Sequence, residues 1–275
     1  SGGFDYAWSP DSKWFTLEFI GNKHDPYSDI GLVSAQGNGE IINLTNSGYS
    51  SGSPSFALDG NAILFTTERY GMRAHASWGS LDDAMLVFLN QDAYDKFSLS
   101  KEDYELYKEA NSDRKKVAAK DSSKVKDVVV ELKNIEDRIV RLTPNSSNMG
   151  STLISKDGKT LYYLASTESG RNLWKMDLNK KETKLLHKVD AGWTSLEMDK
   201  EGKTLFILNG KNMQKMNLAS DDLKPIKYLA QVKLDLSAER EYMFDHVYKQ
   251  QQKRFYNTNM HGVNWDAMTA VYRKV

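Results

Sequence analysis

Two stretches of this 275-residue chain concentrate residue types that do chemistry. Gly48-Tyr49-Ser50-Ser51-Gly52 satisfies G-x-S-x-G, the turn that lifts a nucleophilic serine toward an oxyanion hole. Such an elbow works only where a strand turns sharply into a helix, and here SPSFALDG, another strand and turn, follows. The serine therefore reads as part of a connection between strands. The second stretch, NMHGVNWDAM from Asn259 to Met268, packs His261, Trp265, Asp266 and two asparagines together. Gly262 suits the break after a helix ending near Asn257, and Asn264 the cap of the next helix. Trp265 and Met268, three apart, would anchor that helix. This stretch reads as a structural elbow.

The five histidines, at 24, 75, 187, 246 and 261, show no H-E-x-x-H or other close ligand pairing, so no metal site is expected. His24 with Asp25 and Asp29 reads first as a loop between strands. Asp245 and His246 are neighbours on a helical pattern, where adjacent side chains diverge by about 100° and do not orient one another for base catalysis. The chain has no cysteine, which excludes disulfides and thiolate nucleophiles. No catalytic residue and no cofactor are expected from these residues. The densest polar loop runs from Glu68 to Asp83. There Arg69, Tyr70, Arg73, His75 and Trp78, separated by small residues, would form a surface that grips peptide carbonyls or a carboxylate. The competing reading packs Tyr70 and Trp78 into neighbouring strands.

The elements that must position these residues repeat. Ser9-Pro10-Asp11-Ser12-Lys13 precedes WFTLEFI, and Ala57-Leu58-Asp59-Gly60-Asn61 precedes AILFTTE. Ser155-Lys156-Asp157-Gly158-Lys159 precedes TLYYLAS, and Asp199-Lys200-Glu201-Gly202-Lys203 precedes TLFILNG. Each is a hairpin: an acidic residue beside a small one makes the turn, and a β-rich run makes the next strand. Third and fourth strands follow, as DIGLVSA and EIINLTN in the first repeat and NLWKMDL and TKLLHKV in the third. Four short antiparallel strands recurring about every 45 residues predict a mainly β protein built of propeller blades.

The second repeat is interrupted from about residue 90 to 126. SLSKEDYELYKEA offers Ser100 as a helix cap with Asp103 three residues on, and the charged NSDRKKVAAKDSSKVKD reads as a surface linker. From Ser237 the period becomes helical. Phe244, Val247, Tyr248, Gln251 and Phe255 share a face, with Ser237 as N-cap and Glu239 and Glu241 in the first turn. The domains expected are blades over 1–236, carrying the helical insertion, and a helical segment over 237–275.

Basic and acidic residues balance at 37 each, which leaves no net field for nucleic acid or an anionic membrane. No apolar run approaches the roughly 18 residues of a membrane span, and the opening SGGFDYAWSP shows no signal pattern. A repeat that begins at Phe4 and a helical pattern still running near Val275 read as a piece of a longer protein.

The propeller repeats, with RYGMRAHASWGSLDDAMLVFL, VVVELKNIEDRIVRLT and EREYMFDHVYKQQQKRFYNTNMHGVNWDAM, resemble tricorn-type proteases over nearly the whole chain. These are large serine peptidases with propellers ahead of a helical, PDZ-like and catalytic core. The resemblance implies a non-catalytic propeller that guides or filters peptides toward a core beyond Val275, where the catalytic serine and histidine would lie. The chain alone is then expected to be inactive. Partners implied are peptides, the remaining protease domains and further copies of the chain, with no nucleic acid and no membrane; the compartment implied is cytoplasmic, or periplasmic if an upstream signal is removed. Competing classes are a TolB-type interaction propeller and a prolyl-oligopeptidase-like hydrolase.

Overall fold

A local hydrogen-bond cycle reverses the chain at each repeat. At the first turn the Asp11 carboxylate accepts from the Ser9 hydroxyl at 2.5 Å and the Lys13 N–H at 3.1 Å, while Ser9 Oγ accepts the Trp14 N–H at 2.9 Å. Ser155, Asp157, Lys159 and Thr160 form the same cycle at 2.6, 3.1 and 2.9 Å. Side-chain oxygens that bond their own backbone stop one strand and start the next. Gly158 and Gly202 occupy φ +71° and +69°, where a Cβ would be strained.

The computed structural model describes residues 6–21, 26–37, 39–73, 79–110, 126–166, 170–191, 194–210 and 212–273. Four antiparallel sheets, each of four strands in chain order, make a four-bladed propeller. Blade 1 holds β1 (Tyr6–Trp8), β2 (Trp14–Ile20), β3 (Ser28–Ser34) and β4 (Ile42–Asn43). Blade 2 holds β5 (Ser51–Ala57), β6 (Ala62–Thr67), β7 (Asp83–Phe88) and β8 (Ile139–Arg141). Blade 3 holds β9 (Asn148–Ile154), β10 (Thr160–Ser166), β11 (Arg171–Asp177) and β12 (Glu182–Ala191). Blade 4 holds β13 (Thr194–Met198), β14 (Thr204–Asn209), β15 (Asn212–Asn217) and β16 (Leu223–Ile226).

Period-two alternation distributes the apolar side chains of the two middle blades to the blades on either side. Ile63 and Phe65 of β6 meet Ile30 and Leu32 of blade 1, whereas Ala62 and Leu64 meet Leu161 and Tyr163 of blade 3. Tyr162 and Leu164 point the other way, to Leu205, Ile207 and Met216 of blade 4. Middle strands therefore read as continuous apolar runs because both of their faces are covered.

A second repeat unit lies at the start of each third strand in blades 1 and 2. Buried Asp29 accepts from Thr45 Oγ1 at 2.7 Å, Asn43 Nδ2 at 2.9 Å and the Ser47 N–H at 3.3 Å. Buried Asp83 accepts from Thr143 Oγ1 at 2.8 Å, Ser146 Oγ at 2.7 Å, and Arg141 Nε and Nη2 at 3.0 and 2.9 Å. The two threonine oxygens in turn accept the N–H of Ile30 and Ala84. Each latch fastens the outermost strand to its sheet. Blade 3 uses neutral Asn172 instead, whose Oδ1 accepts the Val189 N–H at 3.2 Å.

The insertion in blade 2 is helical, as expected from its sequence: α1 (Gln91–Ser98) and α2 (Lys101–Ala110). Ser100 caps α2 through the Asp103 N–H at 3.1 Å. The sequence stretch read as a linker lies in part, over 111–125, outside the described residues. α1 docks through Tyr94 and Phe97, whose rings lie 5.7 and 5.0 Å from Phe88. The returning chain crosses to blade 1. Its Val128 N–H reaches Asp11 Oδ2 at 2.7 Å, Asp127 pairs with Lys13 at 2.6 Å, and Glu131 N–H reaches Leu89 O at 2.7 Å. Burial pushes the Asp11 carboxyl up, but the Ser9, Val128 and Lys13 hydrogen bonds outweigh it and hold the group below the usual carboxylate range.

Residues 227–275 form a separate compact unit. Its α3 (Leu236–Arg254) is capped by Asp235, which accepts the Ser237 and Ala238 N–H groups at 3.1 Å each, so the cap lies two residues before the serine expected from sequence. α3 ends at Arg254, three residues short of the expected stop. Asn264 caps α4 (Trp265–Tyr272) through the Ala267 N–H at 3.0 Å, as its position suggested, and Trp265 stacks on Tyr248 at 5.8 Å. Asp245 pairs with Arg273, and Tyr248 donates to Asp266. His261 takes φ +55° and meets the Tyr256 hydroxyl at 2.5 Å, a ring-packing role within the elbow.

Candidate functional site

The first strands of the blades line a common cavity of about 570 Å³. Tyr6 of β1, Ser53 and Ser55 of β5, Gly150 to Thr152 of β9 and Thr194 of β13 all reach it, joined by Thr66, Asp82 and Arg171. Most of these are small or hydroxylated, and Pro54 and Met149 complete the lining. Some hydroxyls are spent on the ring itself: Ser151 Oγ accepts the Leu196 N–H at 3.1 Å, tying blade 3 to blade 4, and Thr66 Oγ1 donates to Gly52 O at 3.3 Å. A lining of backbone, hydroxyl and one charge of each sign offers donors and acceptors to a peptide main chain without selecting a side chain.

Asp82 and Arg171 supply those two charges. Arg171 Nη2 donates to Asn148 Oδ1 at 2.8 Å. Asp82 is pushed up to about 6 by burial first and then by the charges of Glu68 and Asp83, against the opposing Met149 N–H and Arg171. The native state thus keeps a proton that the unfolded chain loses near the ordinary value of 3.8, so stability falls as pH rises from there toward about 6 and is flat above. Asp82→Asn is expected to flatten that fall and to raise stability at pH 7 by about 1 kcal/mol, after allowance for partial exposure. Thermal melts across pH 3–8, read as about one unit per 1.4 kcal/mol, check it.

The polar loop singled out in the sequence is a hairpin beyond the ends of β6 and β7. Its arms meet at the Arg73–Ser80 bridge and through Leu81 N–H to Met72 O at 3.2 Å. They approach so closely that a Cβ on Gly71 would stand 1.7 Å from Leu81 O. Arg69 and Tyr70 are exposed, with the Arg69 guanidinium 5.6 Å over the Tyr70 ring. Arg141, held by Asp83, lies 5.0 Å from that same ring. Arg73 lies 5.8 Å from the Tyr49 ring on the connection into blade 2. Of the five expected residues, Arg69 and Tyr70 are thus in contact with each other, Arg73 packs on a different ring, Tyr49, and Tyr70 stands outside the core. His75 and Trp78 lie outside the described residues.

Sequence reasoning missed Asp82, Arg171 and Arg141. A signal for the latch that holds the last existed: SDIGLV…NLT and DDAMLV…RLT place an aspartate at the start of the third strand and a threonine just after the fourth. The G-x-S-x-G stretch leads into β5, where Ser51 Oγ donates to Thr67 Oγ1 at 3.1 Å, so it is a strand connection and not an elbow. Among the described residues, no group of three or more His, Asp or Glu is arranged to hold a metal, and no helix is long and apolar enough to cross a membrane.

Comparison with known proteins gives four findings. Residues 236–275 match the family model of the tricorn protease C1 domain. Over 294 aligned residues the chain is 25% identical to a protein of Sulfurisphaera tokodaii described as a tricorn-like protease C-terminal subunit, covering 98% of this chain and 31% of that protein. The crystal structure of the tricorn protease superposes with a TM-score of 0.63 at 11% identity, over 98% of this chain and 26% of that one. A TolB structure from Agrobacterium tumefaciens follows the propeller with a TM-score of 0.51 at 13% identity, covering 80% of this chain and 63% of its own. At these identities the solved structures speak to fold alone.

Proposed function

From the premise that this chain is a tricorn-like propeller followed by a C1-like segment, we propose that it is the non-catalytic, peptide-guiding portion of a serine peptidase whose catalytic core lies elsewhere. The observation that carries the reading is the C1 match at 236–275, which begins ten residues after the last blade strand ends at Ile226. The cavity shared by all four blades supplies the means. Its hydroxyls and peptide groups suit an extended main chain of any sequence, and the Arg69, Tyr70 and Arg73 cluster suits a peptide carboxylate or carbonyl at the hairpin. His75 and Trp78 belong to the same proposed surface. Acyl transfer needs nucleophile, base and oxyanion donors in one place, and this reading assigns all three to other domains. Cytoplasmic location and association with further copies are part of the same proposal.

The test compares peptide hydrolysis by the full-length protein and by this chain. The full-length protein is expected to cleave and this chain alone to be inert; comparable rates from this chain would refute the division of labour. In the full-length protein, Thr152→Trp, which fills the shared cavity, is expected to slow cleavage of long peptides several-fold while leaving short chromogenic substrates unaffected. Equal slowing of both would show that the blades support the core without guiding substrate. A TolB-type interaction propeller predicts no hydrolysis by either protein.

A further inference from the structure

A second concavity, of about 460 Å³, lies between the α1–α2 pair and the β11–β12 turn of blade 3. Its floor is apolar, made by buried Leu142, Met176 and Leu178, and its helical wall carries Phe97, Leu99 and Tyr104. Its rim is cationic. Lys96, Lys101, Lys159, Lys180 and Lys181 border it together with Arg141, against only Glu105 and Asp177.

The imbalance stands out in a chain whose charges cancel overall. Arg141 is committed to Asp83. Lys101, Lys180 and Lys181 form no ion pair among the described residues, and Lys159 has Asp157 only at 4.0 Å, with both side chains more than half exposed. The Asp177 carboxylate is occupied by the N–H groups of Asn179 and Lys180, at 2.9 Å each. Lys181 also holds φ +57°, a conformation that Gly or Asn takes more readily in a turn. Lysines crowded around an apolar floor repel one another, and an anionic occupant relieves that repulsion while covering the floor.

We propose that this groove binds an acidic linear segment of another polypeptide, with its carboxylates on the lysine rim and an aromatic or aliphatic side chain on the Leu142–Met176–Leu178 floor. A second copy is a poorer occupant. Its own acidic stretch after the insertion is already fastened, through Asp127 to Lys13 and through the carbonyls of Glu131 and Lys133 to Arg138. Nucleic acid is a poorer occupant too, because its phosphates would meet the lysine rim but leave the apolar floor without an aliphatic or aromatic side chain to cover it, and the chain has no net field to draw it in.

The test uses fluorescence anisotropy on the intact chain with two labelled peptides. One is rich in Asp and Glu and carries one Phe and one Leu; the other has each acid replaced by Lys. The acidic peptide is expected to bind, and to bind more weakly in high salt. The lysine peptide is expected not to bind. K180E/K181E, on exposed side chains, is expected to weaken binding by about tenfold or more without moving the urea midpoint. Tyr104→Ala is expected to weaken it with the salt dependence retained. Unchanged affinity in K180E/K181E, or equal binding of both peptides, overturns the proposal. So does dimerisation in sedimentation velocity that this double variant abolishes, which would make the occupant a second copy.

Discussion

Replacing Arg138 with methionine is expected to lower the unfolding free energy by about 3–5 kcal/mol, seen as an earlier urea midpoint. Arg138 is 3% exposed, and among the described residues its guanidinium meets no carboxylate; it donates from Nε to Phe88 O at 3.2 Å, from Nη1 to Lys133 O at 2.9 Å and from Nη2 to Glu131 O. Methionine fills much of the same volume but leaves the buried Phe88 carbonyl and the part-buried carbonyls of Glu131 and Lys133 short of this donor. An orphaned buried group costs about 1–3 kcal/mol, and the two nearer the surface cost less because water can reach them. Those carbonyls belong to β7 and to the chain returning from the insertion, so the loss detaches that return from its blade. Lysine should not rescue the variant, because one ammonium cannot reach three carbonyls spread across a planar fork. A methionine variant within about 1 kcal/mol of the parent would show that water replaces the guanidinium at little cost.

Asp83→Ala is the second large effect, expected at about 2–4 kcal/mol by the same measurement. The carboxylate is fully buried, and its removal strands Thr143 Oγ1, Ser146 Oγ and the Arg141 fork together. Arg141 is 34% exposed, so part of its charge can rehydrate, and this sets the effect below that of Arg138. Asp29→Ala is the matched control in blade 1. The partners seen among the described residues, Thr45 Oγ1, Asn43 Nδ2 and the Ser47 N–H, are neutral, and a smaller loss is expected. Equal losses at the two sites would mean that the latch geometry, rather than the Arg141 charge, sets the cost.

The blades were legible because their information is local. Ser9 to Trp14 and Ser155 to Thr160 close their cycles within five residues, so the turn chemistry can be read in one window. The latches are not local. Thr45 lies 16 residues from Asp29, and the insertion places Thr143 60 residues from Asp83, so the same motif appears at two spacings. The shared cavity was hidden differently: each repeat gives it between one and three hydroxyl-bearing residues that look like ordinary strand positions until four blades bring them together. The helix cap shows a third limit. Asp235 and Ser237 are both good cap residues, and only the backbone path decides between them.

Every blade draws its four strands from one continuous stretch, so none is completed by a strand from the far end of the chain. Apolar clusters join blades 1 to 2, 2 to 3 and 3 to 4, and among the described residues no such cluster joins blade 4 to blade 1. Neighbouring blades 1–2, 2–3 and 3–4 thus share apolar cores, while Tyr6 of blade 1 and Thr194 of blade 4 are brought together as two walls of one cavity.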